Sequence, residues 1–166
     1  MRPPGNNSTC AIFERNLGIF AMQISLTISG SIISKKNSKI ASMIGGKNCP
    51  RRPMILPSKA YSKWEKQARK EAWAQIVYAC SLPANKLPCF PLNNPVHVKA
   101  YFYYKGNKPD LAGAMESISD CLEGILYVND GQIESWDGSR THHDLKNPRT
   151  ELSIWWDTCH DEEKKL

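Results

Sequence analysis

The chain has 166 residues, of which 41% are hydrophobic, and a formal net charge of +6. This length fits one domain with a modest core, and no apolar run approaches the roughly 20 residues that a membrane-spanning helix needs, so we expect no membrane span. The positive charge favours a polyanionic partner, although ribosomal contacts or an anionic membrane surface would give the same balance.

The first predicted strand follows a segment without clear periodicity. Residues 1–21 are rich in Pro, Gly and Asn at their start, so we expect them to lie outside the fold as a disordered or non-native extension. From Met22 onward, residues 23–29 alternate polar and apolar side chains, which is typical of a half-buried strand that Gly30 ends. The range 22–157 is therefore the predicted domain, and residues 158–166 form a charged tail.

A long basic segment separates this strand from the first helix. Between Gly30 and Gln75 there are eleven Lys or Arg residues, opposed only by Glu65 and Glu71. Residues 34–57 show little periodicity and are predicted to form a long basic loop. Loops of this length without secondary structure are uncommon unless they are functional or disordered. The uneven charge indicates one basic face, although a charge run is more often only solvated surface.

Two helices and three further strands are predicted in the rest of the chain. Ser58 is a candidate N-cap for a helix that ends near Tyr78. A proline-rich linker leads to an alternating strand over 96–104, and a helix over about 111–122 ends at Gly124. Short strands are expected at 132–137 and 151–156, on either side of a loop rich in His and Asn. The order indicates an α+β fold, a small mixed β-sheet with two main helices packed on it.

Six cysteines are present without a CxxC pair, and there is no secretory signal. We therefore expect reduced thiols in a cytosolic protein. A zinc site is a minor alternative, because the spacing of Cys49, Cys80, Cys89 and Cys159-His160 is unsuitable.

Acidic residues recur around the second helix. Asp110 precedes it, Asp120 lies along it, and Asp130 follows it within Tyr127-Val-Asn-Asp-Gly-Gln-Ile133. Converging carboxylates bind hard divalent cations, and Lys105 and Lys108 lie directly before the first acid. Acidic metal ligands beside basic residues are what an enzyme needs to cut a phosphodiester.

Taken together, these motifs resemble the RusA family of Holliday-junction resolvases. Members carry an Asp-Leu-Asp-Asn type motif, then a helix with Lys and Asp, then Asp-Asp-x-Gln-Ile/Val. Here Asp110, Asp120 and Asp130 match three of the acids, and Gln132 and Ile133 follow. The resemblance extends, with less specificity, over about residues 23–156, and the family fold agrees with the predicted order of elements.

The chain departs from the family pattern at four positions. The second Asp of the first motif is Ala112, its Asn is Gly113, the helix Lys is Glu116, and the first acid of the doublet is Asn129. Ala112, Glu116 and Asp120 are four residues apart and share one helix face. Glu116 is therefore a candidate replacement for the lost carboxylate.

The resemblance implies a metal-dependent endonuclease that resolves four-way DNA junctions by paired cuts, in recombination or repair. It implies Mg²⁺, or Mn²⁺, held by Asp110 and Asp130, to which the helix-face spacing adds Glu116, with Asp120 as a fourth catalytic position that would orient a ligand. It further implies a homodimer with two symmetric sites, in the cytoplasm of a bacterium or phage-infected cell. The residues expected to contact DNA phosphates are Lys35, Lys36, Lys39, Lys105, Lys108 and Arg140.

Simpler interpretations remain open at this point. Asp110 alone is typical of a helix cap, and Asp130-Gly131 of a turn. The missing acids at 112 and 129 favour an alternative function, a catalytically silent DNA-junction binder. A basic RNA- or ribosome-associated protein is a third alternative, which explains the charge but not the acid spacing.

Overall fold

A computed structural model of the chain describes residues 12–14, 20–46, 50–83, 85 and 87–157. The predicted tail at 158–166 lies outside the described residues. The helices are α1 Lys59–Ser81 and α2 Leu111–Leu122. The strands are β1 Ile12–Glu14, β2 Phe20–Ser29, β3 Lys39–Ile44, β4 Arg52–Pro57, β5 Val96–Tyr104, β6 Ile133–Ser135, β7 Arg140–His143 and β8 Arg149–Asp157.

The central sheet is mixed, and β5 connects its two kinds of pairing. The strand order is β1-β2-β8-β5-β6, and β7 also pairs with β5. Pairing is antiparallel from β1 through β2 and β8 to β5. On the other side of β5, strands β6 and β7 run parallel to it. With two helices packed on this sheet, the predicted α+β class is confirmed.

One face of the sheet carries the core, as the alternation in β5 predicts. Every second residue of β5 from Val96 to Phe102 is buried, and so are the inward residues of β2 and β8. Both helices cover this face with apolar side chains at helical spacing. The buried residues of α1 are Tyr61, Trp64, Ala68, Ala72, Ile76 and Ala79. They recur at intervals of three or four residues, so they lie on one face of the helix.

Both helices begin at the predicted caps. The Ser58 hydroxyl accepts a hydrogen bond from the Tyr61 N–H at 3.1 Å, and Asp110 caps α2 in the same way. At the other end of α2, Gly124 has a φ of 73°, a conformation that a residue with a Cβ rarely adopts. The local sequence therefore determines where the helices start and where α2 turns.

The prediction of a loop over 34–57 is wrong, because this segment contains the two-stranded hairpin β3–β4. Strand β7 lies in the predicted loop rich in His and Asn, and a short 3₁₀ helix, Asp130–Gln132, precedes β6. The sheet also extends into the predicted N-terminal extension, since β1 pairs with β2 at Phe20–Met22. The rest of that extension lies outside the described residues.

The edge of β2 beyond β1 is closed by side chains of α1. Gln75 accepts from the Thr27 N–H at 2.9 Å and donates to the Thr27 carbonyl at 2.7 Å. Glu71 accepts from the Ser29 N–H at 2.7 Å. These contacts pair backbone groups that would otherwise be open to another strand, and they fix α1 to the sheet.

No helix within the described ranges is long and apolar enough to cross a membrane. Of the cysteines in those ranges, Cys80 and Cys89 are exposed free thiols, and Cys121, on α2, is a buried one.

Truncation of a core side chain in β5 should test this packing. Phe102 is fully buried, so Phe102→Ala should lower the free energy of unfolding by about 3–5 kcal/mol through lost burial and a residual cavity. Urea unfolding followed by circular dichroism measures the change. Ile55→Ala, at a side chain that is 71% exposed, is the control and should change stability by less than about 0.5 kcal/mol. Equal losses in the two variants would contradict the assigned core.

Candidate functional site

Helix α2 positions most of the predicted acidic residues, beginning with Asp110 at its N-cap. One Asp110 carboxylate oxygen accepts from the Gly113 N–H at 3.1 Å, which satisfies a backbone donor that the helix leaves free. The simpler interpretation of Asp110 as a cap is thus confirmed. Its side chain is exposed, so the second carboxylate oxygen remains open to solvent.

The segment after β2 packs directly on α2 through Lys35. The Lys35 ammonium lies 2.6 Å from an Asp120 carboxylate oxygen. The backbone N–H of Lys35 donates to the Ser117 hydroxyl at 2.9 Å. The hydrogen bond and charge of Asp120 raise the pKa of Lys35 above its usual value of 10.5, against a lowering by burial. Asp120 is therefore paired with an ammonium group, 85 residues distant in sequence.

The approach of this segment requires a residue without a side chain on α2. Gly113 is buried, and a Cβ at that position would lie 2.6 Å from the Ser34 hydroxyl oxygen. The absence of a Cβ at position 113 leaves the space that Ser34 occupies, so residues 34–35 can pack closely on α2.

The charges of two further carboxylates act on the Lys35 ammonium. The negative charges of Glu65, on α1, and Glu116, on α2, both add to the rise in the pKa of Lys35. Glu116 and Ala112 are exposed, on the same side of α2 as Asp120. The structure therefore brings Glu116 and Asp120 together, with Glu65 as a third acid that the sequence motif did not indicate.

Asp130 lies near the other end of α2, in a turn held by its neighbours. The Asn129 side chain accepts from the Gly131 N–H at 2.8 Å, and the Gln132 side chain accepts from the Asn129 N–H at 2.9 Å. Gln132 also donates to the carbonyls of Leu92 and Asn94 at 2.9 and 2.8 Å. Asn129 and Gln132 thus have a structural role, whereas Asp130 itself is exposed.

The predicted metal ligands are not brought to one point within the chain. Asp110 caps the N-terminus of α2, whereas Asn129, beside Asp130, donates to Glu123 just past the C-terminus. Twelve helical residues span about 18 Å. Among the described residues, no group of three His, Cys, Asp or Glu side chains is arranged to hold a metal ion. As arranged here, Asp110, Glu116, Asp120 and Asp130 do not fit one Mg²⁺ ion.

Most of the predicted basic contacts are exposed, and one of them lies on the opposite face of the sheet. Lys36 and Lys39 are exposed where the β3–β4 hairpin begins, and Lys105 and Lys108 are exposed in the loop before α2. Arg140 pairs in register with Tyr101, whose side chain points away from the buried positions of β5. Arg140 therefore lies on the sheet face opposite α2 and does not join the acids.

Sequence reasoning missed two side chains that bind carbonyl groups at the C-terminal end of α2, one from α1 and one from the segment after α2. The Arg69 guanidinium donates to the Cys121 carbonyl at 2.8 Å, and the Tyr127 hydroxyl donates to the Ser119 carbonyl at 2.9 Å. These carbonyls lie in the last turn of the helix, where backbone donors run out, although the Ser119 carbonyl also accepts from the Glu123 N–H at 3.1 Å. A cation at this end also stabilises the helix dipole. No local pattern signals such a contact, because its partners are far apart in sequence.

Replacing Lys35 tests the ion pair. Lys35→Met should lower the free energy of unfolding by up to about 1 kcal/mol, since the pair is partly exposed. Because the folded-state pKa of Lys35 lies above 10.5, the contribution should be complete below pH 10.5 and disappear as pH rises through the folded-state value. Urea unfolding between pH 7 and pH 12 measures it, with the exposed Lys36→Met as control. A difference that is already absent at pH 8 would contradict the pairing.

No protein-family model matches the chain, and no curated protein matches it. Among solved structures, the chain is similar to the crystal structure of the protein Atu1372, of unknown function, from Agrobacterium tumefaciens. The sequence identity is 8%, the TM-score is 0.43, and the match covers 95% of this chain and 86% of that chain. The function of this chain must therefore be inferred from its own residues.

Proposed function

We propose that this chain is a RusA-like protein that binds branched DNA, as a homodimer. The observation that carries the proposal is the basic segment, which contains no Asp or Glu from Ser31 to Trp64 and reaches the surface as an exposed hairpin. Lys36, Lys39, Arg51 and Arg52 are all exposed, and none of them forms an ion pair within the described part of the chain. They are free to meet phosphates.

Cationic contacts of this kind position DNA without reading its sequence. Each phosphate that a Lys or Arg neutralises releases a counterion, so the affinity depends steeply on salt. A four-way junction is recognised chiefly by the arrangement of its backbones. Two symmetric copies of the basic surface would match the symmetry of such a substrate.

The acidic residues support binding better than cutting. Asp120 is paired with Lys35, and one oxygen of Asp110 is engaged in a cap. Ala112 and Asn129 stand where the family has two further acids. Within the part of the chain that the structure describes, the carboxylates are therefore not arranged as the converging set that a Mg²⁺-dependent nuclease needs.

A Mg²⁺-dependent junction endonuclease is the second candidate, and the surroundings of Lys35 favour it. Glu65, Glu116 and Asp120 all act on this one ammonium group. If Lys35 transferred to a DNA phosphate, these three acids would lose the ammonium group as a counter-charge. This candidate makes Glu116 the replacement for the missing acid at 112.

Binding measurements across salt concentrations test the proposed function. We expect tighter binding to a synthetic four-way junction than to a linear duplex of the same sequence, with competitor RNA as a control for partner class. Lys36→Gln/Lys39→Gln should weaken binding to all junctions alike and reduce the slope of log K against log salt by about 2. Equal affinity for junction and duplex, or a preference for RNA, would contradict the proposal.

Cleavage assays on the same junction separate the two candidates. The binding function predicts no cutting with Mg²⁺ or Mn²⁺, and Glu116→Gln should bind as well as the parent or better, because one negative charge is removed. Ala112→Asp, at an exposed position, tests whether one restored carboxylate produces activity. If the parent cuts and Glu116→Gln does not, the endonuclease candidate holds.

A further inference from the structure

The β3–β4 hairpin, here called the arm (residues 39–46 and 50–57), stands apart from the central sheet. Among the strands that the structure describes, β3 and β4 pair only with each other, from Lys39 with Pro57 to Ile44 with Arg52. At its base the Ser58 N–H donates to the Ser38 carbonyl, and Ser58 then caps α1. The arm is thus held at its base and projects from the body of the protein.

Both faces of the arm expose large apolar side chains. Ile55 is 71% exposed and Met43 59% on one face, and Met54 is 53% exposed and Ile44 45% on the other. A two-stranded hairpin is at best marginally stable alone. Burial of these side chains against a partner would be favourable, because it removes apolar surface from water. An arm with this surface is therefore suited to a partner that covers it.

Charge indicates which partner. The acid-free segment from Ser31 to Trp64 contains eight Lys or Arg residues, several of them on or beside the arm. A second copy of the same arm would bring like charges together, which is unfavourable. DNA offers phosphates for the cations, and β-ribbons with apolar side chains can enter a groove or insert between bases that have lost their stacking.

The free end of the arm has a feature suited to a base. An open hollow of about 510 Å³ is lined by apolar groups and one guanidinium, from Ile44, Gly45, Pro50, Arg52, Pro53 and Met54. Ile44 and Arg52 are cross-strand partners, so the apolar floor and the cation are adjacent. An apolar surface beside a single cation matches the face of a nucleobase and its phosphate.

We propose that the arm enters the branch point of DNA, where Ile44 and Met54 pack on an unstacked base and Arg52 binds the neighbouring phosphate. This inference rests on the proposed function, that the chain binds branched DNA, and adds the element that distinguishes a branch from a duplex. Unstacking is least costly at a branch point, where base stacking is already interrupted. The apolar side chains therefore supply preference for the branch, and the cations supply affinity for DNA in general.

The experiment uses a four-way junction with 2-aminopurine at the branch point and a linear duplex with the same label. Wild-type protein should raise the fluorescence of the junction but not of the duplex. Ile44→Thr/Met54→Thr keeps the charge and the β propensity. It should bind the junction about 10-fold or more weakly, with no rise in fluorescence and an unchanged salt slope.

The matched control is Trp73→Gln/Val77→Gln on α1, where the side chains are 53% and 47% exposed. It should bind like wild type. Urea unfolding should give equal stability for all variants, since these side chains are exposed.

If Ile44→Thr/Met54→Thr matches wild type in affinity and fluorescence, the arm has no such role. A wild-type preference for junctions would still leave the proposed function standing. If that variant instead dissociates a dimer in sedimentation equilibrium, a second copy covers the arm and the inference is overturned.

A wild-type protein that does not prefer the junction overturns the proposed function itself, and the role of the arm with it.

Discussion

The packing of residues 34–35 on α2 is the contact on which the arrangement of the functional surface depends. It places Ser34 against Gly113 and the Lys35 ammonium on Asp120. The same contact fixes the point from which the arm leaves the body, four residues later at Lys39. A side chain at 113 or a missing cation at 35 would therefore affect both the acidic helix and the basic arm. The two surfaces are joined at one interface.

This contact also sets the chemistry of the carboxylates. The Lys35 ammonium, paired with Asp120 and influenced by the charges of Glu65 and Glu116, reduces the repulsion among these acids. A partly exposed pair of this kind contributes little to stability but has a large effect on which ligand the acids can accept. An anionic backbone near Lys35 would compete with Asp120 for the ammonium. If the chain binds DNA as we propose, that binding and the pairing of Asp120 depend on the same ammonium group.

The sheet separates the remaining charged groups. Its inner face is closed by α1 and α2, and its outer face carries Lys99, Tyr101, Tyr103 and Arg149 in close contact. Arg140 belongs to this outer face and is separated from the acidic helix by the thickness of the sheet. The arm lies outside both layers, so its sequence is free of the constraints of the core. That freedom accounts for apolar residues on both of its faces.

Much of the fold follows from the sequence alone, because the signals are local. The alternation of β5, the apolar stripe of α1 and the caps at Ser58 and Asp110 each depend on residues a few positions apart. The arm was missed because strands that are exposed on both faces show no polar–apolar alternation. Strand β7 was missed because its sequence, Arg-Thr-His-His, forms a strand only by parallel pairing with β5, about 40 residues earlier.

The acids show the same division between local and long-range information. Sequence identified Asp110 as a cap candidate and placed Glu116 and Asp120 on one helix face, since helical periodicity is local. It could not show that Asp130 lies near the far end of α2, nor that Lys35 is the partner of Asp120. Those relations depend on how the chain returns after Gly124 and on a contact across 85 residues. The sequence determined which residues could take part, and the tertiary structure determined which of them meet, because only packing brings distant segments together.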